Sequence, residues 1–498
     1  MASGTETIAD SAPALWDELT RRVAAGARFA DLFGTARPDG LLLTAHLAGP
    51  GGLETWQTLL PPKTASYPAL TPRLGAAFWY EREIHDMFGV VPHGHPRLQP
   101  LILATAGDPP RPGSGTALTS PAPAAAPRLP EVLPSHVAGP GLFTIPHGPV
   151  RSGVVESIEY LVETPGEDIP HLNMRVFYKH RGIEKRFEGM TIADGVLLAE
   201  RTEGIATVAH TLAYCHALER MAGTEVPWTA GLIRVVHAEL ERLACHLDVI
   251  VRLADGAGLA VATARFGWHK ERVLRLVGQL CGSRFGRGVA LPGGVRAAPA
   301  AGPGELLAAV GELDRQVSAD LRVLTGTASF LDRLRRTGPL PPERAREHGA
   351  LGPVGRASGS TDDARQARPY DAYRSLTVRA ASRPDGDALA RLDVRVQEIG
   401  QSIRLLRQAA DELADAPSGP LRAPCEVVDG RGLGWAEAPQ GEVLYDVSVS
   451  GGRITRCRVR SASWHNLVLM HEVFAGDILT DFPFIEASFG LSVAGVAR

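Results

Sequence analysis

Cysteine is scarce in this sequence and never paired. Cys215, Cys245, Cys281, Cys425 and Cys457 are the five among 498 residues, and no Cys-x-x-Cys occurs. An odd number of scattered thiols excludes a disulfide framework and points to reduced cysteines in a cytosolic setting. Long apolar runs are missing as well: no stretch reaches the roughly 18 residues that a membrane-spanning helix needs. No direct membrane span is therefore expected, and attachment to a membrane would come through partners. The opening MASGTETIADSAPALWDEL has an acidic front and no apolar run, unlike a secretory leader. An excess of one charge is also lacking. Lys and Arg number 52 against 55 Asp and Glu, a formal net charge of −3, so no basic field exists to draw nucleic acid.

What is present divides the chain. Single cores stop growing at roughly 250–300 residues, so this length implies more than one domain. The stretch 104–141, ATAGDPPRPGSGTALTSPAPAAAPRLPEVLPSHVAGPG, is rich in Pro, Ala and Gly and reads as a linker. It separates a domain over 1–103 from a larger one over 142–498. In the first, 14–25 has helical periodicity, LLLTAHL over 41–47 reads as a strand, and a charged helical turn breaks at Gly89. The second opens with VVESIEYLVE and LNMRVFY around the turn PGED, which suggests a hairpin. Apolar residues then follow helical spacing from Ile205 to Ala222 and from Leu232 to Ile250, with further helices expected over 305–335 and 387–413. Near the end, EVLYDVSVSGGRITRCRVRS alternates about Gly451–Gly452 as a hairpin. The expected fold class is α+β: a small mixed α/β scaffold domain, a linker, then a helix-rich domain with small β elements.

Two sets of strings carry a family resemblance. Tyr80-Glu81-Arg82-Glu83-Ile84-His85-Asp86-Met87-Phe88-Gly89, followed by Gly94-His95-Pro96, is similar to the signature of the complex I 30 kDa subunit. The part after the linker resembles the complex I 49 kDa subunit and the large subunits of group 4 [NiFe] hydrogenases, including formate hydrogenlyase and hydrogenase-4. The matching strings are Gly148-Pro149-Val150, His180-Arg181-Gly182-Ile183-Glu184-Lys185, and Glu239-x-x-Arg242-Leu243-x-x-His246. Pro292-Gly293-Gly294-Val295, Gly352-Pro353-Val354, Glu437-Ala438-Pro439 and Asp481-Phe482-Pro483 continue the match in order.

The chain departs from this family where the metals would sit. Two cysteine pairs hold nickel and iron in the hydrogenases, because soft thiolates bind both metals and let nickel change redox state. Glu203 and Ala206 stand at the first pair in Glu200-Arg201-Thr202-Glu203-Gly204-Ile205-Ala206, and Ser492 and Gly495 stand at the second. Gln440 replaces an arginine that lies beside the metals. No metal is therefore expected, nor hydrogenase activity from the chain alone. Quinone is the candidate ligand of complex I relatives, yet the positions matching their tyrosine and histidine are Gly204 and Ser152. Arg181 and His246 match residues that approach the last iron-sulfur cluster of a neighbouring subunit in complex I, on strings that also hold Glu239 and Arg242. His246 has a second reading, a satisfied core histidine sharing a helix face with Glu239 and Arg242. Glu203 is expected to point into the old metal cavity, with Arg151, Arg201 and Arg498 as partners; the alternative turns it to solvent.

The resemblance thus implies a peripheral subunit of a membrane-associated NADH:quinone oxidoreductase or hydrogenase-4-like complex, cytoplasmic and on the inner face of the cell membrane. It would dock an iron-sulfur small subunit carrying a 4Fe-4S cluster and meet antiporter-like membrane subunits through others. No cofactor would be bound by this chain itself. The alternative is a non-redox scaffold or proton-coupling subunit of such a complex.

Overall fold

The computed structural model describes residues 6–49, 52–103, 141–151 and 156–498. The expected linker 104–141 falls almost wholly outside them, as does Ser152.

Helix α1 (Ala12–Ala24) starts where Ser11 accepts a hydrogen bond from the Ala14 amide, and it buries Leu15, Trp16 and Leu19. Strands β1 (Glu6–Ile8), β2 (Arg28–Arg37), β3 (Gly40–Gly49) and β4 (Gly52–Leu60) form a sheet in the order β1-β4-β3-β2, with β1 parallel to β4 and the other pairs antiparallel. Helix α2 (Phe78–Phe88) carries the signature string and ends at Gly89, whose φ of 72° is a left-handed cap.

The signature residues have structural partners. Glu81 accepts from the amides of Leu70 and Thr71, Arg82 donates to the carbonyls of Gln99 and Pro100, and Asp86 accepts from the amides of Leu101 and Ile102. Three polar groups of the string thus each pin a particular stretch of backbone.

Beyond the linker, β5 (Phe143–His147), β6 (Glu159–Thr164) and β7 (His171–Arg175) make an antiparallel meander, and β6–β7 is the expected hairpin. Helices α3 (Thr207–Ala222), α4 (Trp228–Gly256), α5 (Ala260–Cys281), α6 (Pro303–Thr325) and α7 (Ala388–Asp415) form the helical body, with α4 packed against α5 and α7. The helix expected over 305–335 is broken: α6 stops at Thr325, and a short helix (Ala328–Leu334) follows Gly326. A second antiparallel meander, β8 (Gly430–Ala438), β9 (Gly441–Ser450) and β10 (Arg453–Arg460), lies against α3. Its first strand contains Gly430-Arg431-Gly432-Leu433-Gly434. A Cβ at Gly432 would sit 2.2 Å from the Ala217 carbonyl oxygen, and one at Gly434 would sit 2.0 Å from that of Ala213. These glycines let strand and helix touch backbone to backbone.

Two cores form. One gathers α3–α7 and β8–β10. The other joins Trp16, Leu43, Trp79 and Tyr80 of the first hundred residues to Tyr160, Leu172, Trp464 and Phe489. Charges seal the same junction. Arg458 on β10 donates to Asp31, Glu83 and Glu184, while Arg498 donates to Glu83 and Glu184. All five side chains are buried.

Candidate functional site

Two chain segments carry Glu203, Ala206, Ser492 and Gly495, the four positions that the resemblance sets against thiolate ligands, and local chemistry brings them together. The first follows a helix (Ile192–Ala199) capped by Thr191, then turns through 200–206 into α3. The second follows a helix (Phe482–Phe489) that stops at Gly490, φ 63°, where a Cβ would collide with Arg395 and Val249. Ser492 then caps the final turn (Val493–Val496). Arg181 fastens the two segments, donating to the carbonyls of Arg201 at 3.1 Å, Thr202 at 2.6 Å and Ala494 at 2.9 Å.

Glu203 lies inside, 1% exposed, so the solvent alternative fails. Its carboxylate accepts from Ser463 Oγ at 2.9 Å and pairs with His210 Nε2 at 3.1 Å. With the ring proton on Nε2, His210 donates to Glu203 and accepts at Nδ1 from the Tyr445 hydroxyl, 2.9 Å away. Tyr445 also meets Thr202 Oγ1 at 3.1 Å, and the Ser492 amide donates to Ser463 Oγ at 3.1 Å. The space beyond Glu203 is closed by Gly495: a Cβ there would lie 2.3 Å from Glu203 Oε2. Carboxylate, imidazole, phenol and hydroxyls thus form one buried hydrogen-bonded cluster on the old ligand frame.

The cationic partners expected for Glu203 are engaged elsewhere. Arg151 donates to Glu486 at 2.8 Å over the face of Tyr160. Arg201 bonds the Leu197 carbonyl and Glu200 near the surface, and Arg498 serves Glu83 and Glu184. A histidine on the first turns of α3 reaches Glu203 first, so no guanidinium is needed. Ser492 Oγ turns the other way, to Glu156 at 3.0 Å. Ala206 lies under α3 with its amide on the Glu203 carbonyl, and Gly204 is exposed. Gln440 is buried beside Cys245, its Nε2 3.1 Å from the sulfur and its Oε1 unpartnered.

This donor set does not fit a nickel–iron centre. A carboxylate, a methyl, a hydroxyl and a hydrogen atom stand where four soft thiolates are required. Among the described residues, no group of three or more His, Cys, Asp or Glu is placed to hold a metal ion.

The string on α4 builds a different object. His246 is wholly buried, with Nε2 on Glu398 at 2.8 Å and Nδ1 facing Arg395 at 3.1 Å. Burial pushes its pKa down to about 4 against the pull of Glu398. Both nitrogens have partners within the chain. Glu239 accepts from Arg365 at 2.9 Å and Ser402 at 2.6 Å, and Arg242 donates to the carbonyls of Glu437 and Ala438. Arg356 joins Glu398 to Glu437. The result is a buried ionic network in the middle of the fold, which holds α4, α7 and the end of β8 in register.

On the far side of the 203–206 loop, α4, α5 and the loop 284–286 enclose a cavity of about 200 Å³. Glu241 enters it from α4 and accepts from the amides of Val208 at 2.7 Å and Ala209 at 3.1 Å, capping α3, which has no side-chain cap of its own. Burial pushes this carboxyl up to about 8, outweighing those amides. The folded chain therefore holds a proton that the unfolded chain releases near the ordinary carboxyl value. That contribution to stability is complete below the unfolded value and is lost as pH rises through about 8. Urea midpoints across this range are expected to decline with rising pH, and Glu241→Gln to flatten the decline; parallel profiles would contradict the assignment.

Sequence reasoning misses Ser463 and Tyr445, which lie far along the chain from Glu203 with nothing local to mark them. His210 has a signal, one α-helical turn beyond Ala206, but no indication of which carboxylate it meets.

Known respiratory proteins share this chain's sequence and fold. The model for the respiratory-chain NADH dehydrogenase 49 Kd subunit matches residues 259–428 and 423–498, and that for the 30 Kd subunit matches 20–112. Formate hydrogenlyase subunit 5 of Escherichia coli is 30% identical over 456 residues, 88% of this chain and 78% of that protein. An NADH-quinone oxidoreductase subunit of Solibacter usitatus is 30% identical over 71% of this chain and 95% of its own length. A chain of the membrane-bound sulfane sulfur reductase, an archaeal respiratory membrane complex, superimposes with a TM-score of 0.68 at 26% identity, covering 72% of this chain and 99% of that one.

Proposed function

Because the chain belongs to the family of complex I 49 kDa-type subunits and membrane-bound hydrogenase large subunits, with a 30 kDa-type domain fused in front, we propose that it is the large peripheral subunit of a respiratory membrane complex that has given up nickel–iron chemistry. It docks an iron-sulfur small subunit on the cytoplasmic side of the cell membrane and contacts antiporter-like membrane subunits only through others. No helix among its described residues is long and apolar enough to cross a membrane. One observation carries the reading: Glu203 and Gly495, at opposite former ligand positions, are in contact, with the carboxylate in the space that a second side chain would need.

Two roles remain within this assembly. Electrons arriving at the small subunit's cluster pass to quinone or another acceptor near this chain, or the chain is a non-redox, proton-coupling scaffold. The second role gains support from the unbroken hydrogen-bonded series Ser463–Glu203–His210–Tyr445–Thr202, which fills the old site and can hand a proton along. Copurification from native membranes tests the assembly: an iron-sulfur subunit is expected to accompany the chain, and its consistent absence would refute the proposal. A quinone titration of that cluster's EPR signal then separates the roles, since only an acceptor site near the cluster would perturb it.

A further inference from the structure

The cavity behind the 203–206 loop has the features of a ligand site independent of the Glu203 cluster. Its wall is apolar, made by Ile205, Leu240, Ala244, Leu274, Val277 and Phe285, and its volume is about 200 Å³. Dry apolar cavities of about 150 Å³ already accept a benzene ring. Polar side chains share the lining: His237 and Glu241, together with Asp248, Lys270 and Arg284. His237 is 2% exposed and forms no hydrogen bond among the described residues, and its Nδ1 is buried without a partner. A buried polar group left unmet is costly, so an unpaired imidazole in the lining of a largely apolar cavity asks for a complement. His237 and Glu241 are four residues apart on α4, which places them on one face, about 5–6 Å apart at Cβ. Both side chains line the cavity.

We propose that this cavity binds a neutral, single-ring molecule bearing one hydroxyl, of the phenol class, whose O–H donates to the His237 imidazole and whose oxygen accepts from the Glu241 carboxyl. The ring fills the apolar space against Leu274 and Val277; Asp248, Lys270 and Arg284 also line the cavity. Burial holds His237 down near 4 and Glu241 up near 8, so at neutral pH one is an acceptor and the other a donor. The groups facing Glu241 are His237, Arg242, Cys245 and Asp248 on its own helix, Lys270 on α5, Glu203 on the adjoining loop and Arg284. Lys270 is held by Asp248 at 2.6 Å, so it does not neutralise Glu241.

The test is calorimetric titration of the full-length chain with p-cresol and with p-xylene, its counterpart lacking the hydroxyl. p-Cresol is expected to bind at least about tenfold more tightly, the effect of one good buried hydrogen bond. His237→Phe should abolish that preference, and Ala244→Trp, which fills the cavity, should abolish binding of both. Equal affinities for the two compounds, or a preference that survives His237→Phe, would overturn the proposal, as would no binding of either. Circular dichroism of each variant establishes that it is folded, and Leu274→Trp gives a second filling variant from the opposite wall. The assay uses neither nickel nor the small subunit, so its outcome is independent of the proposed assembly.

Discussion

Replacing Arg458 with Met is expected to lower the free energy of unfolding by about 3–5 kcal/mol, the usual consequence of removing one partner from a buried ionic group. The guanidinium lies 2.9 Å from Asp31 and from Glu83 and 3.1 Å from Glu184, and it is itself 2% exposed. Without it three carboxylates share what Arg456 and Arg498 can supply, in a region where burial already pushes Glu83 upward. The residues involved come from β2, α2, the helix Ile183–Phe187 and β10, so the defect falls on the junction between the first hundred residues and the rest. Urea unfolding followed by circular dichroism measures it. Lowering the pH protonates the stranded carboxylates and should shrink the difference from the native chain. A loss below about 1 kcal/mol, the level of an ordinary surface substitution, would mean that the junction is held by its apolar core alone.

The second large effect concerns the old metal frame. Gly495→Ala should destabilise the chain by about 1–3 kcal/mol through overpacking, since the new methyl meets a carboxylate fixed by Ser463 and His210. Gly495 has no positive φ, so a methyl there brings no backbone strain to confuse the result. Glu203→Ala should cost a similar amount by stranding His210 and Ser463. The double variant should be less destabilised than the sum, with a coupling of about 0.5–3 kcal/mol, because the methyl then occupies space that the carboxylate has left. Strict additivity would show that the two positions do not share that space.

Legibility from the sequence differs by level. The hairpin at Gly451–Gly452, the strand within 41–47 and the end of α2 at Gly89 follow from alternation and turn chemistry, which are local. The strand over Gly430–Ala438 is not legible: glycine is depleted in strands, and these glycines serve a backbone contact with α3 that is set by tertiary packing. Helix α5 is equally hard to see because its buried positions are sparse, Phe266, His269, Val273, Val277 and Leu280 within a mostly polar surface. At the site, it is the family resemblance that sets Glu203, Ala206, Ser492 and Gly495 against thiolates. The identity of Glu203's partners is not. Arginine is the expected companion of a buried carboxylate, but each candidate arginine has a nearer acid, and an imidazole with a serine hydroxyl suffices. His246 shows the converse, since a string shared with redox relatives is satisfied here by a core ion network.

The function proposed above holds that this fold keeps the shape of a metal-bearing subunit while its own side chains take up the metal's place. Elemental analysis of the chain isolated within its native complex, with iron of the small subunit accounted for separately, tests that claim most directly. No stoichiometric nickel is expected in that complex. Nickel at one atom per chain, retained through chelation and lost on Glu203→Ala, would contradict it.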